Sequence, residues 1–479
     1  MKPRKKTWGQ VLVQTLVFTG VGVAILGGIV QWTFIMLRAG RASENRELAE
    51  QVAEAGIEYY RWHLAHAATD YQDGTGAPGP YYHPYKNAAG EIIGEFKLDI
   101  VPPPIGSTIV TVKSTGSITS ATGTKQIVEV KMAIPSLAKF AVVANDVMRF
   151  GAGTEVFGPI HSNNGIRFDG LIHNLITSAV ATYDDPDHTG GAEFGVHTHD
   201  TPTDPLPPAA VPNRSDVFEA GRQFPLPAVD FAGLTANLAQ MKTDAQANGK
   251  YFAASGGLGY HIVLKTNDTF DIYRVNTLTA APSNCTNVLS QSGWGTWSVA
   301  TQTFLANHPF PNNGLIFTED NTWVDGMINT ARVTIAAATF PDNAATRKSI
   351  TVNADLKYTN YDGSDVIALI AQNNINVGLF SSNVLRIDAA LVAQNGRAGR
   401  YYYDPGTGSN RCSPNAVRST LTLYGMIGTN QRYGFAYTDG TGYGVRDITY
   451  DGNLLYGPPP SFPLTTDQYQ TISWKRKKN

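Results

Sequence analysis

Hydrophobic and polar positions divide this chain unevenly. The 31 residues from Thr7 to Leu37 carry no charge, and Lys6 and Arg38 bracket them. A bilayer needs about 20 apolar residues as a helix, and one charge at mid-membrane costs on the order of 3 kcal/mol. The run exceeds the 7–15-residue apolar core of a secretory signal, and no Ala-x-Ala follows it. A buried core helix of this length would show a polar face. The pattern therefore predicts a membrane-spanning helix. It continues into "RASENRELAEQVAEAGIEYYRWHLAHA", which lacks proline and is rich in helix formers. Leu48, Val52, Ala55, Tyr59 and Trp62 fall at alternating spacings of four and three, and Ile57 and Leu64 begin a second apolar strip. One continuous helix is expected over residues 10–66, greasy in its first half and amphipathic in its second.

Beyond it the period changes from helical to two. Residues 70–90 are turn-rich, and "GEFKLDI", "STIVTVKS" and "QIVEVKMA" alternate apolar with polar between Gly/Pro breaks. This predicts a small antiparallel β meander within residues 67–136. Over 137–180 and 313–460 the texture is short apolar runs punctuated by Gly and Asn, as in "VFGPIHSNNGIRFDG" and "NVLRIDAALVAQNG". No strict repeat length emerges. Short strands with Gly/Asn corners suit a β-solenoid, with a β-sandwich as the alternative. Residues 181–312 read as an insertion. Seven prolines over 201–227 exclude regular structure there. A helix follows, with Asp230 and Gly249 as its caps and Phe231, Leu234, Leu238, Met241 and Ala245 on one face. Residues 461–479 read as a basic tail. The fold class expected is α+β, mostly β.

Charge sharpens this picture. Of 37 Lys and Arg, eight lie in residues 1–6 and 475–478, and the remaining 29 face 39 acidic residues. An acidic body excludes nucleic acid as a partner, because phosphate binding needs clustered bases. The bases Lys2, Arg4, Lys5 and Lys6 precede the span, whereas Arg38, Arg41 and Arg46 are diluted by Glu44 and Glu47. The positive-inside rule then places the N-terminus in the cytoplasm and the body outside it. Only 16% of residues are charged, which suits exported, loop-rich β structure. Cys285 and Cys412 are the two cysteines. An exported chain permits a disulfide between them, and two independent thiols are the alternative.

The residues "KKTWGQVLVQTLV" and "LAEQVAEAGIEYYRWHLAH" resemble the start of type IV pilin-like proteins, in particular the minor-pilin (PilX-type) class. "YDGNLLYGPPPSFP" also resembles C-terminal signatures of large pilin-like surface proteins. The resemblance implies a basic leader over residues 1–9 ending at Gly9, a processed N-terminus at Gln10, and a fifth position at Gln14. In that class the fifth position is Glu, whose carboxylate meets a neighbour's terminal ammonium in the filament. Gln14 offers only an uncharged hydrogen bond, and Trp8 stands where a basic residue normally adjoins the cut. An uncleaved anchor is the alternative. The resemblance also implies the membrane and pilin-like subunits as partners.

Other motifs bear on chemistry. Gly20, Ala24 and Gly28 form a small-residue line that lets helices approach closely in lipid. "TYDDPDHTGGAEFGVHTHD" gathers Asp184, Asp185, Asp187, His188, His197, His199 and Asp200. Its spacing matches no EF-hand or zincin, so it reads as a solvated acidic loop, with a metal site as the alternative. His161 and His173 read as corner residues. Asp355, Lys357, Asp362, Asp365, Arg386 and Asp388 are the candidates for a glycan-cleaving groove. Tyr401, Tyr402 and Tyr403 read as packing rather than sugar contacts. No catalytic residue and no cofactor is expected. The expectation is a non-enzymatic surface protein, a minor component, adhesin or assembly factor of a type IV pilus-like system. A membrane-anchored, carbohydrate-binding or glycan-cleaving protein touching surface polysaccharide is the alternative.

Overall fold

The computed structural model describes residues 8–104, 106–231, 237–406, 411–464 and 468–477. Residues 1–7 of the expected leader, Leu234 and Lys478 lie outside the described residues. The chain divides into two compact units. The first holds Met1–Pro102, Val110–Ala133 and Gln468–Asn479, and the second holds Pro103–Ile109 and Ile134–Asp467.

In the first unit, one helix, α1, runs unbroken over Trp8–His66. Its 59 residues span roughly 88 Å at about 1.5 Å each. Strands β1 (Tyr81–Lys86), β2 (Ile92–Val101), β3 (Val110–Ile118) and β4 (Ala121–Ala133) pair antiparallel in sequence order. β1 lies inside the stretch expected to be turns. Pro84 is tolerated there because β1 is an edge strand. On the other edge, Gln470–Lys477 pairs antiparallel with β4. These residues were expected as a basic tail; instead they close the sheet, with Lys477 3.0 Å from Glu129. A cationic edge discourages further strand addition.

The face of α1 that packs on this sheet overlaps the two expected strips at Val52, Ile57 and Leu64, with Leu48 and Tyr59 packed at its margin, but leaves out Trp62. Ala49, Val52, Ala53, Ile57, Tyr60 and Leu64 are buried, whereas Trp62 is 60% exposed. At Ala49 and Ala53 the helix needs small residues because the sheet comes very close there. A Cβ on Gly116 of β3 would lie 2.1 Å from the Ala49 carbonyl oxygen.

The second unit is built mainly from parallel strands stacked in columns, with an antiparallel run of Gly259–Leu264, Thr269–Leu278 and Val299–Pro309 attached to them. One column runs through Lys250–Phe252, Leu315–Thr318, Arg332–Ala337, Val366–Ala371 and the end of Val384–Ala393. It continues through the end of Val417–Thr429, Val142–Ala144, Ile160–Ser162, Ile176–Ser178 and Arg222–Gln223. The register keeps like on like. Ile316, Ile335, Leu369, Leu391, Ile427, Val142, Ile160 and Ile176 stack in one core. Two residues further on, the stack reads Thr318, Ala337, Ala371, Ala393, Thr429, Ala144, Ser162 and Ser178. The opposite side of the column is also apolar and is covered by Leu238, Met241 and Ala245 of the helix Asn237–Asn248. Burial on both faces explains the continuous apolar runs "VIALIA" and "AALVA".

A second column includes Gly259–Leu264, Thr322–Ile328, Leu356–Tyr358, Gly442–Tyr450, Thr154–Phe157 and Leu171–Ile172. A third set pairs Thr322–Trp323, Ile350–Thr351, Ile375–Val377 and Ala398–Arg400. A parallel trio of Met148–Phe150, Ile166–Phe168 and Val196–His197 stands apart. Parallel pairing throughout these columns is not the arrangement of an antiparallel two-sheet sandwich.

The order of the rungs overturns the reading of 181–312 as an insertion. Residues 142–178 stack on 417–450, so the chain enters in the middle of the pile, climbs to one end, and must cross to the other. The segment between Gln223 and Lys250, which holds Pro225, Pro227 and the helix Asn237–Asn248, makes that crossing. Arg222–Gln223, Lys250–Phe252 and Gly259–Leu264 are themselves members of the columns.

Arg446 stands at the meeting of the two passes and is 6% exposed. It donates to the Tyr443 and Gly444 carbonyls at 2.7 and 2.8 Å and, across the junction, to Ala152 O and Thr154 Oγ1, both at 2.8 Å. Each buried acceptor left unpaired costs about 1–3 kcal/mol. Arg446→Met is therefore expected to lower the stability of the second unit by at least that much. The check is the urea midpoint together with amide exchange over Val142–Ala144, which should lose protection; an unchanged midpoint would contradict the junction.

Candidate functional site

The first feature that asks for a function is the uncharged half of α1. From Val11 to Leu37 its large apolar side chains are 51–75% exposed. The segment is long and apolar enough to cross a membrane, with a mean hydropathy of 2.0 in its best window. Its polar atoms are partly satisfied within the helix. The Thr15, Thr19 and Thr33 hydroxyls donate to Val11, Thr15 and Ile29 carbonyls at 2.9, 2.7 and 2.9 Å, which lowers the cost of an apolar surrounding. Gly9, Gln10 and Gln14 are exposed positions in the first turns of this helix. At Gly20 and Gly28 an added Cβ would meet nothing within 4 Å, so with Ala24 the small-residue line is uncovered by this chain's described residues.

Cys285 and Cys412 form a disulfide, with their Cα atoms 4.7 Å apart. Around it pack Leu379, Tyr401, Tyr403 and Ala416. Arg400, fully buried beside this cluster, lies over the Tyr403 ring at 4.7 Å and donates to Leu379 O and Asn415 O at 3.1 and 2.6 Å. Burial pulls its guanidinium down to about 10. Tyr401 and Tyr403 are thus packing residues, while Tyr402 donates its hydroxyl to Asp439 at 2.7 Å.

The carboxylates proposed for a glycan groove are tied to backbone. Asp365 accepts from the amides of Ala331, Thr359 and Asn360 at 3.0, 2.9 and 2.7 Å. Asp388 accepts from the Tyr358 amide at 3.1 Å, the Tyr361 hydroxyl at 2.7 Å and Arg386 Nε at 2.9 Å. Asp355 pairs with Lys357 at 3.1 Å, and Asp362 accepts from Ser364. These groups hold turns and neighbouring side chains together.

The histidine-rich loop does not stay in solvent as expected. Asp185 is 3% and His197 1% exposed, whereas Asp184 and Asp187 are exposed. His197 is positioned by the pairing of Val196–His197 with Ile166 and Arg167. Asp185, His197 and His199 bring one potential ligand atom each within 4.8 Å of one another, and so do His188, Glu193 and His199. Asp187 leaves the group to meet Arg149 at 3.3 Å and Arg432. Burial alone raises the Asp185 carboxyl, but His197, the Asp187 amide and Arg167 outweigh it and hold the group well below the usual range. Burial lowers His199, and Arg167, His197 and His188 add to it. The composition of this stretch marked it out, but the sequence carried no signal that Glu193 and Arg167 would join the group.

His161 is buried between Thr177 Oγ1 at 2.9 Å and Asn163 Oδ1 at 3.3 Å. His173 stands between Glu155 at 2.8 Å and Glu219 at 2.5 Å, stacked on Phe157.

No protein-family model matches this chain, and no curated protein matches it. Among solved structures it is similar to the competence-associated pilin ComZ from Thermus thermophilus, at 13% identity and a TM-score of 0.32, over 91% of this chain and 98% of that one. An overlap that loose bears no argument about fold or activity.

Two outcomes follow. The disulfide closes a sequence separation of 127 residues, so Cys285→Ser with Cys412→Ser should lower the second unit's stability by about 2–5 kcal/mol, read from urea midpoints under oxidising and reducing conditions; identical midpoints would refute it. Glu155 and Glu219 hydrogen bonds raise His173 above its ordinary 6.5. Its contribution is then complete below 6.5 and is lost as pH rises through the folded value. The wild type should lose thermal midpoint relative to His173→Gln across that window above 6.5, and parallel curves would contradict the assignment.

Proposed function

We propose that this chain is a non-enzymatic, pilin-like surface protein anchored by α1, with its N-terminus in the cytoplasm and both β-rich units outside it. Within a type IV pilus-like system it serves as a minor, PilX-type component, adhesin or assembly factor, and pilin-like subunits are its neighbours in the membrane. The carrying observation is the continuity of α1. An uncovered, uncharged stretch passes without a break into the segment whose small-residue face seats on the first unit's sheet. The Gly20–Ala24–Gly28 line then packs against another helix, and Gln14 supplies a neutral contact where the resemblance has Glu. The disulfide suits an oxidising compartment. The small sheet is read as a pilin-type meander, and the stacked columns as a β-solenoid head.

The glycan-cleaving reading is the weaker one, because its carboxylates already serve backbone amides. A screen separates the two: the full chain in detergent should release no oligosaccharide from cell-surface polysaccharides.

The anchor is tested by fractionation. The wild-type chain should sediment with membranes and need detergent for release, and it should co-purify with sheared filaments from a filament-forming host. Leu26→Asp, at a cost of about 3 kcal/mol at mid-membrane, should shift the chain toward the soluble fraction. Recovery of the intact wild type in the soluble fraction without detergent would overturn the proposal.

A further inference from the structure

Two observations converge on the loop between Tyr183 and His199. The first is a shortage of partners. His197 is 1% exposed, yet neither ring nitrogen has a hydrogen-bond partner, and the same is true of Asp185 Oδ2. Burying such groups without compensation costs on the order of 1–3 kcal/mol each. The second is their aim. His197 Nε2 lies 3.6 Å from Asp185 Oδ2, too long for a hydrogen bond. Two ligands held tetrahedrally at about 2.0–2.1 Å from one ion stand about 3.4 Å apart.

We propose that Asp185, His197 and His199 form a binding site for a divalent transition metal of the zinc class. Two imidazoles and one carboxylate match the ligand preference of Zn²⁺. Ca²⁺ would ask for six to eight oxygens, which this loop does not assemble. The outer groups are arranged to present these ligands. The Asp187 amide donates to Asp185 Oδ1 at 2.9 Å, which leaves Oδ2 to face His197. Asp169 Oδ1 accepts from the His199 amide at 2.9 Å, fixing the second histidine's backbone. His188 is engaged with Glu193 Oε1 at 2.6 Å, and Glu193 Oε2 accepts from the Asp185 amide at 3.1 Å. That pair therefore braces the site. Arg167 is the nearest cation, 3.6 Å from Asp185 Oδ2, but its Nε is committed to Asp169 at 2.8 Å. It balances the carboxylate without satisfying it. The ion would staple the loop to the parallel trio that carries His197.

The test uses the full chain in detergent, stripped with chelator and titrated with ZnCl₂ by calorimetry, and with CoCl₂ by visible absorption. A single saturable zinc site per chain and intense cobalt d–d bands are expected. Loss of an outer-shell partner typically weakens a metal about 10–100-fold, so His197→Asn and Asp185→Asn should weaken zinc by more than about 100-fold. Asp184→Asn, an exposed neighbour, should bind as the wild type does. Circular dichroism of the metal-free variants tells a lost ligand from a lost fold; if His197→Asn does not fold, Asp185→Asn decides. Absence of zinc heat and cobalt bands in the wild type, or equal affinity in wild type and Asp185→Asn, would overturn the proposal.

Discussion

The second unit depends on one constraint: the rung at 417–450 must find the rung at 142–157. Every parallel strand has two ladder edges, and a buried edge without a partner leaves amides and carbonyls unpaired. In this pile the late rungs satisfy the early ones. The Asn430, Asn145 and Asn163 side chains bond in series at 3.0 and 2.9 Å across the junction. The Tyr450 hydroxyl reaches Ala138 O, and Arg446 ties both rungs at their corner. These contacts are polar and directional, so they select the register as well as joining the passes. The apolar column then follows automatically, because a slip of one residue would put Val143 where Val142 belongs and turn both the large and the small stack away from their shared core.

What could be read from the sequence divides along physical lines. The helix was legible because 31 uncharged residues admit few environments, and the following period of three and four admits only one secondary structure. Its packing face was legible only in part: Val52, Ile57 and Leu64 are buried as their spacing suggests, but Trp62 promises more buried area than Ala49 and Ala53, and the close seat against Gly116 admits the alanines instead. The alternating strands of the first unit were plain, whereas "YYHPYK" hid behind its proline and "QTISWKRK" behind its charge. Both lie on sheet edges, where proline and lysine are tolerated. The rung order was invisible. Short strands such as Ile160–Ser162 carry no information about which distant rung they meet, and a pairing across 285 residues leaves no local trace.

The chemistry was legible to the same degree. The cluster of aspartates and histidines over 184–200 stood out by composition. Which of them would be buried depended on the trio of parallel strands, so Asp184 and Asp187 could not be told from Asp185. The carboxylates over 355–388 looked like candidates because acidic residues gather there; they gather because corners between columns need acceptors for exposed amides, as Asp365 and Asp388 provide. The proposed surface role draws on the helix rather than on any of these groups.

The middle entry of the chain into the pile has a temporal consequence. A ribosome releases Val142–Ser178 long before Val417–Tyr450, so the early rungs wait with an open apolar ladder edge. During that interval the nascent chain is a half-built surface that any passing strand can complete. Closure also carries the loop entropy of nearly the whole unit. A chain wired in this way matures late and all at once, and its vulnerable period is set by the time needed to synthesise the crossover and the rungs that return.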